Sequence, residues 1–201
     1  MKHLILPLIG VCPLVAVTLH VDETVASSGD GSSWASAFQN LQEAFTVAVS
    51  GDVVLVAEGV YFPDEGPTAI DNDRLASFQL VEGVEVEGGY PNGGGVRDLS
   101  SHQTVLSGDL EQDDDDGPSG LNSYNVVLAS GTTAATILDG FLISGGLADD
   151  DSVDDFERER SGGGLFSSGG SPTIINCSFR ANVGGFGGAC FLLTRQLTRW
   201  H

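Results

Sequence analysis

Positive charge is nearly missing from this sequence. Eight Lys and Arg stand against 28 Asp and Glu, a formal net charge of −20 and a sequence pI near 4.1. Nucleic acid is thereby excluded as a partner, because phosphate binding draws its affinity from counterions released by a basic face. Cysteine is scarce, with three in 201 residues. That rules out a disulfide-dense scaffold, and neither a His nor a second Cys pair stands at zinc-ligand spacing. Proline occurs seven times and glycine 28 times, with no Gly-X-Y period. The glycines, about twice the usual share, therefore mark tight turns rather than collagen. No nucleophile elbow, phosphate loop or His-Glu-x-x-His motif occurs. Beyond residue 20 no apolar run is long enough to cross a membrane as a helix, so no transmembrane segment is expected in the mature chain.

What is present begins with a leader. Lys2 supplies a positive start, and Leu4 to Leu19 is an apolar run broken by Pro7 and Pro13. It is too short for a membrane span, and residues 1–20 are expected to be a signal peptide cut between Val17 and His20. Val11 before Cys12 is a poor lipoprotein site, since a small residue is wanted there. The product is expected to be secreted or associated with the outer membrane or cell surface. Cys12 leaves with the leader. Cys177 and Cys190 then either form a disulfide or serve as two small apolar residues inside the fold.

Residues 21–50 are a linker and a helix. Phe38, Leu41, Phe45 and Val49 recur at helical spacing, which predicts one amphipathic helix over about Ala37 to Val49. From residue 51 to 191 the pattern changes to runs of three to six strand-forming residues separated by Gly, Asn, Asp and Ser. Val53–Ala57 is the first, followed by Gly59–Tyr61, Phe78–Leu80, Val84–Val86, Val105–Leu106, Asn125–Leu128, Ile137–Ile143 and Thr173–Asn176. Gly162-Gly163-Gly164-Leu165-Phe166 returns 25 residues later as Gly187-Gly188-Ala189-Cys190-Phe191. Ile137-Leu138-Asp139-Gly140 matches Ile174-Ile175-Asn176-Cys177 at a spacing of 37, and the excess equals the 12-residue acidic stretch Ala148 to Glu159. That stretch is expected to project from a turn. Short strands at such a period, with no leucine ladder, predict an all-β, right-handed parallel β-solenoid. Its stacking would set Asp139 beneath Asn176 and Gly140 beneath Cys177. The helix would cap the first coil. Residues 192–201 carry Arg but no acid and no glycine, and are expected to be an atypical tail on a solenoid truncated at its C-terminus.

The string Cys177 to Phe191 resembles the repeat of the polymorphic outer membrane proteins, which pairs Phe-x-x-Asn with Gly-Gly-Ala. Here these are Phe179 and Asn182, then Gly187, Gly188 and Ala189, with Cys190 where an aliphatic residue is usual. Together with ILDGFLISGG and the segment from Asp30 to Pro63, the chain is similar to the large bacterial right-handed β-helix proteins of the pectate-lyase-like superfamily, over about Asp30 to Phe191. The resemblance implies an architecture and an exported location more than an activity. The function expected is a structural or adhesin-like surface domain without intrinsic catalysis, its loops presented to glycans or partner proteins. The alternative is a polysaccharide lyase or glycoside hydrolase.

Catalysis of that kind needs acids and bases converging on one groove. Arg74, Arg97, Arg158, Arg160 and Arg180 look scattered, and a pair such as Asp109 with Glu111 is expected by chance in so acidic a chain, so no catalytic residue is assigned. Candidate calcium ligands are Asp113, Asp114, Asp115 and Asp116, and Asp149, Asp150 and Asp151, since Ca²⁺ takes six to eight oxygens. Contiguous carboxylates point apart, and the two readings are weak calcium binding or a solvated, self-repelling loop. No other cofactor is expected. His102 reads as exposed in a polar turn. Trp34, Tyr61 and Tyr90 are candidates to stack on sugars, with Trp34 expected beneath the helix.

Overall fold

The computed structural model describes residues 15–115 and 117–193. Among them the chain is mostly β, and every strand pairing is parallel. The elements in order are β1 (Thr18–Val21), α1 (Leu41–Val47), β2 (Val53–Ala57), β3 (Gly59–Tyr61), β4 (Phe78–Gln79), β5 (Glu85–Tyr90), β6 (Thr104–Ser107), β7 (Val127–Leu128) and β8 (Ile137–Asp139). They continue as β9 (Phe141–Ser144), β10 (Leu147–Ala148), β11 (Leu165–Ser168), β12 (Thr173–Ile175), β13 (Ser178–Arg180), β14 (Val183–Gly184) and β15 (Cys190–Leu193). The first sheet runs β1-β2-β5-β8-β12, the second β3-β6-β9-β13, the third β4-β7-β11-β15, and β10 pairs with β14. The chain thus visits the first, second and third sheets in turn and then returns to the first.

Register explains the core. Side chains alternate between the two faces of a strand, and parallel in-register pairing sets like positions over one another. Inside the first sheet this makes a column of Leu19, Val54, Val86, Leu138 and Ile174. The second sheet contributes Tyr61, Leu106, Ile143 and Phe179. The third contributes Phe78, Val127, Leu165 and Cys190. The middle members of all three columns are buried and belong to one apolar cluster. Burying a side chain of that size stabilises by about 1.5–3 kcal/mol relative to exposing it.

The register corrects the repeat read from the sequence. Leu165 does pair with Cys190 at a spacing of 25, but Leu138 pairs with Ile174 and Asp139 with Ile175, a spacing of 36 rather than 37. The excess over 25 across the acidic stretch is therefore 11 residues in the first sheet and 13 in the third, where Val127 pairs with Leu165. Backbone geometry gives the reason. Gly140 and Asn176 both have φ in the left-handed region, +86° and +51°, so Asn176 occupies the corner that Gly140 holds one circuit earlier. Cys177 then stands over Phe141 rather than over Gly140. Spacings in the first sheet are 35, 32, 52 and 36 residues, so the spacing of 25 belongs to the pair β11 and β15.

Three boundaries also move. The last three residues of the expected leader, Thr18 to His20, form β1 together with Val21, with Leu19 and Val21 buried and the Val17 N–H donated to Asp52 Oδ1 at 2.8 Å. A cut between Val17 and His20 would sever that strand from β2. Residues 1–14, including most of the apolar run and Cys12, lie outside the described residues. The helix is shorter than expected. It starts after Asn40, whose N–H is held by the Glu43 carboxylate at 3.2 Å, and ends before Ala48, whose backbone is extended. It packs on β1 and β4, and its Leu41 and Ala44 are buried. At the other end β15 carries the repeat to Leu193, two residues into the expected tail; residues 194–201 lie outside the described residues. Cys177 and Cys190 are half-buried and not bridged, with the Cys177 thiol 3.5 Å from the Leu138 carbonyl.

The columns carry a stability prediction. Leu138→Ala, in the middle of the first column, is expected to lower unfolding free energy by about 2–5 kcal/mol in urea titrations. Ile174→Ala, one circuit on and only half-buried, is expected to lower it by less than half as much.

Candidate functional site

The outward positions of the first sheet alternate with its inner column. On β5 the sequence Glu85-Val86-Glu87 turns two carboxylates outward around a buried valine, and register sets Asp139 of β8 beside Glu87. Arg97, in the connection between β5 and β6, folds back over this face. Its Nε donates to the Gly88 carbonyl at 2.7 Å, Nη1 to Asp139 Oδ2 at 2.9 Å and Nη2 to the Asp139 carbonyl at 3.0 Å. Asn176 Nδ2 takes the other oxygen, Asp139 Oδ1, at 2.7 Å. The hydrogen bond along the stack expected between Asp139 and Asn176 is therefore present, made from the corner rather than from directly above.

This face divides its protons unevenly. Burial raises the pKa of Asp139, but the hydrogen bonds from Arg97 and Asn176 outweigh it and hold the carboxyl below the usual carboxylate range. Burial and the neighbouring Glu87 push Glu85 the other way. The Tyr90 hydroxyl donates to Glu87 Oε2 at 2.6 Å, and burial together with that bond takes its pKa up to about 12. Acids and a base do converge here, as an enzyme would require, but Arg97 is engaged on three sides by the protein's own oxygens. Glu85, Glu87, Tyr90 and Arg97 were not assembled from the sequence. The alternation Glu-Val-Glu beside Tyr90 was the available signal for them; Arg97 arrives from a loop that carries none.

The acidic runs prove to be organised loops. The Asp109 carboxylate accepts the N–H groups of Asp113 at 3.1 Å and Asp114 at 3.2 Å, while Asp114 accepts Ser119 N–H at 2.9 Å and Asn122 Nδ2 at 2.6 Å. One carboxylate oxygen from each of Asp109, Asp113 and Asp114 lies within 4.8 Å of the others. Asp115 and Glu111 are not part of that group, and Asp116 lies outside the described residues. In the second loop Arg74 holds Asp149 at 2.7 Å, and Arg160 holds Asp151 at 3.3 Å and Asp155 at 3.1 Å. Asp150 accepts both the N–H and the hydroxyl of Ser152. Arg74 also donates to the carbonyls of Asn122 and Leu147, each at 2.8 Å, which ties the two loops to one corner.

The repeat residues act as corner fasteners. Asn182 Oδ1 accepts the Gly146 N–H at 2.9 Å, and its Nδ2 donates to the Ile143 carbonyl at 2.8 Å. Gly187 shares the left-handed conformation of Gly162, and the carbonyls of Gly188 and Ala189 accept from Gly164 and Leu165. Phe179 continues the second column above Ile143.

Three further expectations change. His102 is half-buried, with Nδ1 3.1 Å from Glu58 Oε2. Trp34 lies not under α1 but between His20 and Tyr90, at ring distances of 4.9 and 5.5 Å. Tyr61 is buried and its hydroxyl donates to the Ala57 carbonyl at 3.2 Å, so it does not face a sugar. A cavity of about 430 Å³ lies between α1 and residues 63–69, walled by Phe38, Val47, Pro63 and Pro67. Burial, with Asp64 and Glu23 nearby, raises the pKa of Glu65 on its rim.

Comparison with protein-family models, with curated proteins and with solved structures found no match.

The Arg97–Asp139 link sets a pH dependence. A folded-state pKa below the ordinary 3.8 contributes stability above that pH and loses it as pH falls through the folded value. Asp139→Asn is expected to be less stable than the parent by about 1–3 kcal/mol at neutral pH. The gap should close in acid, as read by denaturant midpoints along a pH series.

Proposed function

We propose that the chain is a right-handed parallel β-helix, exported to the cell exterior, that serves as a non-catalytic surface domain and presents its corner loops to neutral or cationic partners. The cyclic order of three parallel sheets supports the β-helix, since a chain that returns to each sheet after visiting the other two winds about one axis. The leader-like start, Lys2 and the apolar run after it, supports export.

The observation that carries the non-catalytic reading is the state of Arg97. A lyase or hydrolase acting on acidic polysaccharide needs a cation free to meet the substrate's carboxylates. Here the half-buried arginine on the acidic face has Nε, Nη1 and Nη2 on protein oxygens. Net charge points the same way. At −20 the chain repels polyanions, so its partners are uncharged or basic glycans, or basic protein surfaces. Asp109, Asp113 and Asp114 are the place where weak calcium binding would recruit an anionic partner.

A polysaccharide-retention assay tests this. The chain is passed over particles of chitosan, cellulose and cross-linked polygalacturonate, with reducing ends and unsaturated products measured in the eluate. Retention on chitosan that declines with salt, none on polygalacturonate without calcium, and no product from any matrix are expected. Product release in proportion to protein would establish the alternative, an enzyme of the polysaccharide lyase or glycoside hydrolase kind.

A further inference from the structure

The cavity of about 430 Å³ beside α1 is walled by two pieces of chain: Phe38 with the helix, which presents Thr46 and Val47, and residues 63–69, which present Pro63 and Pro67. Three hydrogen bonds hold the second piece in place. Gln42 Nε2 donates to the Phe62 carbonyl at 2.7 Å, the Asn72 N–H to Asp64 Oδ2 at 2.9 Å and the Ala69 N–H to the Gly66 carbonyl at 3.2 Å. The concavity is therefore formed before any ligand arrives, and its volume falls in the range of small-molecule sites, roughly 300–1,000 Å³. Its lining runs from Phe38 to Ala69, so neither boundary of the described residues contributes a wall.

Charge selects the occupant. Glu43 stands on the helix wall and Glu65 on the facing one, with Asp64 and Glu23 close to Glu65. Among the described residues neither glutamate has an ion-pair partner. Residues 21–73 hold ten Asp and Glu and no Lys, Arg or His, so neither wall carries a cation of its own. An uncharged apolar molecule would strip water from these carboxylates and return nothing, and an anion would be repelled. A molecule that joins an apolar body to one positive charge meets both demands. We infer that this cavity is a binding site for small organic cations with an apolar body and one protonated amine. The body lies against Val47, Pro63 and Pro67. Glu43 already engages Oε2 with Ser28 and Asn40, which leaves Glu65 as the main counter-charge to the ammonium. The site is separate from the corner loops of the proposed surface role and does not depend on them.

Titration of the ¹⁵N-labelled 201-residue chain, followed by its amide resonances, tests the inference with three probes of one skeleton: 2-phenylethylammonium, 2-phenylethanol and phenylacetate. The ammonium is expected to shift amides of α1 and residues 63–69 and to bind at least about tenfold more tightly than the alcohol, with phenylacetate weaker than both. Glu65→Gln should bring ammonium and alcohol to within about threefold of each other and leave the alcohol's affinity unchanged. Ala69→Lys, at an exposed position, supplies the cavity with a cation of the chain's own and should weaken the ammonium at least about tenfold with an unchanged far-ultraviolet circular dichroism spectrum. Burial and Asp64 raise the Glu65 pKa above the ordinary 4.5, so the ammonium's advantage should fade as pH descends through that raised value, while the alcohol binds as before. An ammonium no tighter than the alcohol, or one indifferent to Glu65→Gln, overturns the inference. So do shifts confined to the acidic loops at 109–115 and 149–155, which would report charge attraction alone. Absence of binding by every probe overturns it as well, including the case in which residues 1–14 of the same chain fill the cavity.

Discussion

In-register parallel stacking is the constraint on which everything else in this protein rests. Once β2, β5, β8 and β12 are aligned, the alternation of side chains assigns their paired residues an inside or an outside, broken only where β5 takes one extra residue between Glu87 and Tyr90. Three inner columns follow, and so does the apolar cluster they share. The outside is equally determined: Glu87 and Asp139 are neighbours because Val86 and Leu138 are. The polar network over the first sheet is thus the reverse face of the core.

That link explains which parts of the structure were readable in advance. The runs from Val53 to Ala57, Gly59 to Tyr61 and Ile137 to Ile143 announced themselves by β-branched composition and by the turn residues between them, and they became strands. The first strand was hidden because Thr18 to Val21 continues an apolar run, and apolarity alone does not separate a leader from a buried strand. The one-residue error in register had a specific cause. Asp139 and Asn176 are chemically alike, whereas the equivalence that counts is conformational, between Gly140 and Asn176 at a left-handed corner. A polar side chain that accepts such a corner looks, in sequence, like a polar side chain on the neighbouring strand.

The face around Arg97 was less legible still. Its carboxylates follow from alternation on β5, but the guanidinium comes from an irregular connection whose path depends on Leu99 and Asp98 packing back toward Gly89. Loop trajectories of that kind are set by tertiary contacts rather than by local pattern. The acidic runs show the complementary effect. Read as contiguous charge, Asp113 to Asp115 and Asp149 to Asp151 look like solvated chain. In the fold the carboxylates of Asp109, Asp114 and Asp150 accept backbone N–H groups, and Asp149 and Asp151 meet Arg74 and Arg160, so charge that would repel in a free segment instead organises two turns.

The unequal spacings of the first sheet, 35, 32, 52 and 36 residues between strands whose inner column nonetheless stays aligned, separate two kinds of heritable change. A shift of one residue inside a strand exchanges core for surface beyond that point, and it is tolerated only where a bulge absorbs it, as between Glu87 and Tyr90 of β5. Eleven residues or more added at a corner leave every column undisturbed. Exterior and interior are therefore free to evolve at different rates, and a lineage built on this plan can replace what it displays without renegotiating how it folds.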